Sequence, residues 1–225
     1  MGFYEGEIGL SDFKNSRLAC QNVSCVRGDR LLFTHLSFEV KAGEALLITG
    51  ANGIGKSSLL RLLAGFLKPF LGQIERLGRL AFADEALALD RHMSLQQALA
   101  YWAALDGFSG AEKDAMRIMA LDKLAESPVR LLSTGQRKRA VLARLLASRA
   151  AIWLLDEPAN GLDKASIMAL LRMIEKHRDK GGVVLAVSHQ GLDMADYATL
   201  SLEDFRSKNN HQSVFFDFDD ESAAF

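Results

Sequence analysis

The chain has 225 residues, 49% of them apolar and 24% charged, and its 27 basic against 28 acidic side chains give a net charge of −1. This composition excludes a disordered, collagen-like or fibrous chain, and so small a net charge supplies no global field to draw nucleic acid or an anionic membrane surface. At about 150 residues per domain the length allows one or two domains, enough to bury a core without a disulfide or metal staple.

Residues 1–16 carry Glu5, Glu7 and Asp12, lack the basic and apolar regions of a secretory signal, and are expected to form an extension. Cys20 and Cys25 are wrongly spaced for a CxxC metal or redox site and suit a reducing compartment. Between Leu18 and Val40, short apolar runs flank Arg27-Gly28-Asp29-Arg30, which predicts two strands and a turn. Ala45 to Thr49 is an unbroken apolar run, as in a strand buried on both faces. A glycine-rich turn comes next, then a helix from Lys56 to Ala64, closed by Gly65 with Pro69 beyond it.

Residues 86–130 change texture, and their spacing predicts helices from Ser94 to Leu105 and from Ala111 to Ala125. A third helix is expected from about Gln136 to Ser148. Ile152 to Leu155 and Val183 to Val187 read as buried strands. Between them lies a helix from Lys164 to Lys180, with Ile167, Leu170, Leu171 and Ile174 on one face and Gly181-Gly182 at its end. In the tail, 205–225, Val214 to Phe218 reads as a candidate edge strand. The richest apolar stretch, 140–155, is broken by Arg144 and Arg149, so no membrane span is expected, and any span must come from another polypeptide. Strands alternating with helices predict an α/β fold: a mainly parallel sheet, antiparallel N-terminal strands, and a helical insertion at about 86–134 within one domain over 17–204.

Gly50-Ala51-Asn52-Gly53-Ile54-Gly55-Lys56-Ser57 fits GxxxxGK[ST] between a strand and a helix. The glycines let backbone N–H groups surround a phosphate at a helix N-terminus. Lys56 reaches the outer phosphates, the Ser57 hydroxyl ligates Mg²⁺, and Ser58 continues the cradle. Asp156 and Glu157 end an apolar strand, where Asp156 suits Mg²⁺ and Glu157 the attacking water; the plain alternative is acids that merely close a strand. Ser133 in Leu132-Ser133-Thr134-Gly135-Gln136 is a natural N-cap, and with the Gly135 N–H it would also bind an anion. His189 comes after a parallel strand, on its ligand side. Asp163 is a helix N-cap that also admits a functional role.

In that order these elements resemble the ATP-binding cassette (ABC) ATPases over about residues 18–204. Residues 50–57 look like the Walker A motif, Leu132 to Gln136 like the family's signature motif, Asp156-Glu157 like the Walker B acid and catalytic carboxylate, Gly161-Leu162-Asp163 like the D-loop, and His189 like the switch histidine. The resemblance implies a P-loop NTPase fold and an ATPase using ATP and Mg²⁺. It implies a head-to-tail homodimer in which Ser133, Gly135 and Gln136 of one copy close over the ATP held by Lys56 of the other. The partner it implies is an integral-membrane transporter subunit, at the cytoplasmic side of the inner membrane, with no nucleic acid.

Arg27 to Phe33, residues 48–53, residues 132–139 and Trp153 before Leu154-Leu155-Asp156-Glu157-Pro158 are similar to the ATP-binding subunits of cytochrome c maturation haem-export systems. That likeness implies that hydrolysis supports haem delivery to a periplasmic chaperone. Two positions depart from the family pattern. Arg27 stands where many cassettes place an adenine-stacking aromatic, and residues 81–86 hold no Q-loop glutamine. Glu85 is the expected substitute there, as a Mg²⁺ ligand, with a solvated acidic turn as the plain alternative. Two rival functions are a cassette protein of translation or DNA repair and a nucleotide switch with little turnover.

Overall fold

A computed structural model describes residues 13–84, 88–189 and 192–206. In chain order the elements are β1 (Arg17–Arg27), β2 (Arg30–Lys41), β3 (Ala45–Thr49), α1 (Lys56–Ala64), β4 (Leu71–Leu77), β5 (Leu80–Ala83), α2 (Leu95–Leu105), α3 (Ala111–Ile118), α4 (Thr134–Ala147), β6 (Ile152–Asp156), α5 (Lys164–Asp179), β7 (Val183–Val187) and β8 (Ala198–Ser201). Short 3₁₀ turns lie at Asp122–Leu124, Val129–Leu131 and Leu202–Phe205. The strands form an antiparallel sheet, β2-β1-β4, and a parallel one, β5-β6-β7-β3-β8.

The parallel strands are apolar without interruption because both faces of their sheet are covered. Alternate residues serve two cores. Leu46, Ile48, Leu154 and Leu185 face α1 and the antiparallel sheet, meeting Leu59, Leu60, Leu62, Leu63, Phe33 and Leu36. Leu47, Trp153, Leu155, Val184 and Ala186 face the other way, onto α2, α3, α4 and α5. The four α1 leucines are fully buried, each stabilising the fold by roughly 1.5–3 kcal/mol. Arg76 on β4 fixes the far end of that helix, donating to Leu62 O (2.7 Å) and Leu63 O (2.6 Å), where a cation also meets the negative end of the helix dipole.

The helical insertion is fastened to the core by arginines on aromatic faces. Arg79 and Arg149 lie 4.7 and 5.1 Å from the Phe108 ring centroid, and Arg144 of α4 lies 3.8 Å from that of Trp102. Within the insertion α3 ends at Ile118, short of the expected Ala125. Ala120 takes a left-handed conformation (φ 52°), Leu121 N–H donates to Met116 O, and Ala120 N–H donates to Arg117 O. This helix-terminating turn swings Leu121 into complete burial. The strands β4, β5 and β8 are absent from the sequence reading. The candidate strand 214–218 lies outside the described residues.

On α5 the buried stripe is Leu170, Met173, Ile174 and His177, with Ile167 and Leu171 only half-buried. The His177 ring stacks on Trp153 (centroids 3.7 Å apart, planes at 5°) and meets the edge of Phe13 at 5.4 Å. Its Nε2 lies 3.1 Å from Ala151 O. A Cβ on Gly182 would come within 2.2 Å of that nitrogen, so only glycine leaves room for the ring. Burial pushes the imidazole pKa down to about 3. The unfolded chain, with an ordinary histidine near 6.5, therefore binds a proton that the folded chain refuses as pH falls from about 6.5 towards 3. The stability from neutral His177 is complete above that window and is lost within it. Denaturant titrations should show the parent losing about 2 kcal/mol from this source between pH 7 and pH 5, and His177→Gln, whatever its absolute stability, a dependence shallower by that amount.

Candidate active site

The chemistry-bearing residues collect at the carboxyl edge of the parallel sheet. β3 runs into the phosphate loop, β6 into Glu157, and β7 through Ser188 to His189. Gly55, at φ 120°, precedes α1, and a Cβ there would press on Leu32 and Phe33 of β2 at 3.2–3.3 Å. The loop thus passes under the antiparallel sheet with no side chain between. No side chain caps α1 and no acid occupies its first turn. Its N–H groups and the positive end of its dipole are left for an anion. Residues 51–53 and Ser57 are exposed there, and Ser58 is half-buried.

Lys56 is 6% exposed. Its Nζ donates to Gly50 O (2.6 Å) and Ala51 O (2.9 Å), which holds the ammonium inside the loop. Burial pushes its pKa down, against the opposing pull of Glu157, Asp156 and Glu203.

Glu157 has a left-handed backbone, φ 46°, a conformation that costs a non-glycine residue about 1–3 kcal/mol. Its N–H donates to Val187 O at 3.0 Å, so the bend stays tied to β7. Its Oε2 accepts the His189 N–H at 3.3 Å. Its buried Oε1 lies 3.3 Å from His189 Nε2 without hydrogen-bond alignment and, among the described residues, accepts no hydrogen bond. It is a buried acceptor whose close neighbour is the His189 ring. Asp156, half-buried, ends β6 one residue earlier.

Ser133, Gly135 and Gln136 begin α4 in the helical insertion. Ser133 Oγ accepts the Gln136 N–H (3.3 Å) and Gln136 Oε1 accepts the Ser133 N–H (2.8 Å), a reciprocal capping box. The Gln136 amide oxygen is thereby engaged within its own helix. Among the described residues no hydrogen bond or ion pair joins 133–136 to 50–57. A Cβ on Gly135 would instead lie 3.5 Å from Gly161 O of the same chain. Asp163 caps α5, accepting the Ser166 N–H at 2.8 Å. That bond holds its carboxyl below the usual range, with Arg139 assisting. A cleft of about 490 Å³ lined by Arg91, Thr134, Arg137, Asn160 and Gly161 lies beside α4, away from the phosphate loop.

Arg27 is exposed at the end of β1, paired with Arg30. Glu85 lies outside the described residues. Cys20 and Cys25 are buried thiols whose pKa values burial pushes up to about 12 and about 11. Among the described residues no three His, Cys, Asp or Glu side chains cluster to hold a metal ion, and no helix is long and apolar enough to cross a membrane. One loop contact falls on a residue without a motif: Glu203 Oε1 accepts the Ala51 N–H at 3.2 Å.

Residues 33–160 match the ABC transporter family. A cytochrome c biogenesis ATP-binding export protein, CcmA, of Zymomonas mobilis is 78% identical, covering 96% of this chain and 98% of that one. The protein of the same description from Sphingopyxis alaskensis is 52% identical over 80% of this chain and 93% of its own. Among solved structures, an ABC transporter ATP-binding protein from Pyrococcus furiosus superposes with a TM-score of 0.75 at 25% identity, covering 85% of this chain and all of that one. With the family match spanning more than half of its length and these relatives covering most of it, the chain belongs to the ABC transporter family, among its ATP-binding subunits.

Proposed function

We propose that this chain hydrolyses ATP to drive a membrane complex that exports or delivers haem for cytochrome c biogenesis. The observation that carries the reading is the meeting of the uncapped α1 N-terminus and Lys56 with the Glu157–His189 pair at one sheet edge. Beside it stands the 78% likeness to an export protein of cytochrome c biogenesis. The rival switch reading gives no use to a carboxylate paired with His189 at that edge.

In this reading residues 50–58 hold the phosphates by backbone N–H groups and Lys56. Ser57 and Asp156 would hold Mg²⁺, which supplies charge neutralisation at the phosphates when bound. The Glu157 carboxylate orients the attacking water, and His189, steered by the same carboxylate, contacts the terminal phosphate. Catalysis is then positioning and charge neutralisation on a preformed frame.

Ser133, Gly135 and Gln136 are exposed or half-exposed and make no bond to their own phosphate loop. A second copy, turned head to tail, would bring them over that loop and bring Asp163 to the interface. In the same reading the partner that spans the membrane is a separate subunit, and this chain works at the cytoplasmic face. Glu85 stands for the Q-loop glutamine, and Arg27 takes the base-stacking position by its guanidinium plane.

Three experiments test this. Lys56→Ala should abolish nucleotide binding, whereas Glu157→Gln should keep binding but lower turnover by about 100-fold or more; parent-like turnover in Glu157→Gln sinks the assignment. Mixing Lys56→Ala with Ser133→Arg chains should restore one intact site per heterodimer and part of the activity, and no recovery in proven heterodimers argues against a shared site. Cells whose own copy is replaced by Glu157→Gln should lack covalently haem-stained c-type cytochromes; normal staining would remove haem delivery from the reading.

A further inference from the structure

Glu203 lies outside every motif above, and its carboxylate is nevertheless tied to the phosphate loop. β8 runs parallel to β3, with Leu200 opposite Ile48 and Ser201 opposite Thr49. The two strands therefore deliver their C-terminal continuations to the same edge: β3 the loop, β8 the turn Leu202–Phe205. Leu202 is fully buried, its Cβ 3.6 Å from where a Cβ on Gly50 would stand. Arg206 N–H closes the turn on Glu203 O at 3.2 Å. Packed in this way, the turn sets Glu203 beside the loop, where Oε1 accepts the Ala51 N–H. The Ile54 N–H, by contrast, bonds inside the loop, to Ala51 O at 3.3 Å. The backbone of Ala51 is thus engaged on three sides: its N–H by Glu203, and its carbonyl by Ile54 and by Lys56 Nζ.

We propose that Glu203 is a positioning residue for nucleotide binding. It pins the first turn of the phosphate loop from a neighbouring strand, and so sets ATP affinity without touching ATP. The carbonyls that receive Lys56 belong to Gly50 and Ala51, so a loop that drifts at Ala51 carries the ammonium with it. Loss of the pin weakens binding of the phosphates and leaves the Glu157–His189 pair, on other strands, unmoved. The signature of Glu203 is therefore a change in Kd and KM without a matching change in kcat.

The inference rests on residues 50–57 being the phosphate loop, which Lys56→Ala tests separately in the same assay. Binding of a fluorescent ATP analogue and steady-state phosphate release are measured on the full chain for the parent, Glu203→Ala and Glu203→Gln. Removing the acceptor in Glu203→Ala should raise Kd and KM by about three- to tenfold, the range of one hydrogen bond, with kcat within about twofold. Glu203→Gln keeps an oxygen acceptor of the same reach and should stay within about twofold of the parent. Parent-like binding by Glu203→Ala overturns the proposal, and so does a Glu203→Gln chain as weak as Glu203→Ala. Retained binding in Lys56→Ala would overturn the loop assignment instead.

Discussion

Val187 pairs with Ile48 on one side and with Asp156 on the other. Neighbouring strands lie about 4.8 Å apart, so the ends of β3, β7 and β6 fall within about 10 Å of one another, all pointing the same way. The segments leaving those strands all reach one edge, which is why a lysine, a carboxylate and a histidine more than 30 residues apart in each step meet there. The pairing is held by side chains that differ between the two faces. A slip of one residue in β6 would exchange Trp153 and Leu154 between cores. Trp153 stacks on His177, and a Cβ on Gly182 would meet the His177 ring. The ring stack at one end of the sheet thus supports the register that places Asp156 and Glu157 at the other.

The start of α4 is built differently, with Ser133 exposed and Gly135 half-exposed. The helix is secured along its length instead. Arg139 donates to Met119 O and Ala120 O, the carbonyls freed where α3 turns back. Farther along, Arg144 lies against Trp102, whose indole N–H donates to Ala88 O at 2.7 Å. The capping box then needs only two residues of its own helix to close the first turn.

The strands β3, β6 and β7 are legible in the sequence because a strand buried on both faces leaves an unbroken apolar run. β4 is exposed almost throughout, and β5 and β8 have four residues each, too short for a period or an apolar run to mark them. The helix starts at Ser94, Ser133 and Asp163 are written in local cap chemistry, and that of α1 in the glycine-rich turn before Lys56. The end of α3 depends on burying Leu121, a tertiary effect that no cap residue announces. The placement of residues 50–57, Asp156, Glu157 and His189 at one edge of the sheet is legible because their motifs adjoin readable strands. Glu203 is not, because its position depends on β8, an edge strand with no signal of its own. The sequence reading also gives Gln136 only as a ligand, where the structure finds its carboxamide oxygen turned back on the Ser133 N–H.

The turn ahead of β1 has a practical meaning for anyone who wishes to tether or label this molecule. Ser16 Oγ donates to Phe13 O and to Gly181 O, and Phe13 lies against His177. Residue 13 is thereby bolted to the rim where β6 and β7 begin. Residue 206 departs from the other rim, one turn beyond the acid that grips Ala51. A dye or surface linker on the exposed Lys14 beside it stands a full strand length from Glu157 and His189. The same attachment at residue 206 is mounted on the rim that holds the phosphate loop, where it would report on that loop and burden it at once.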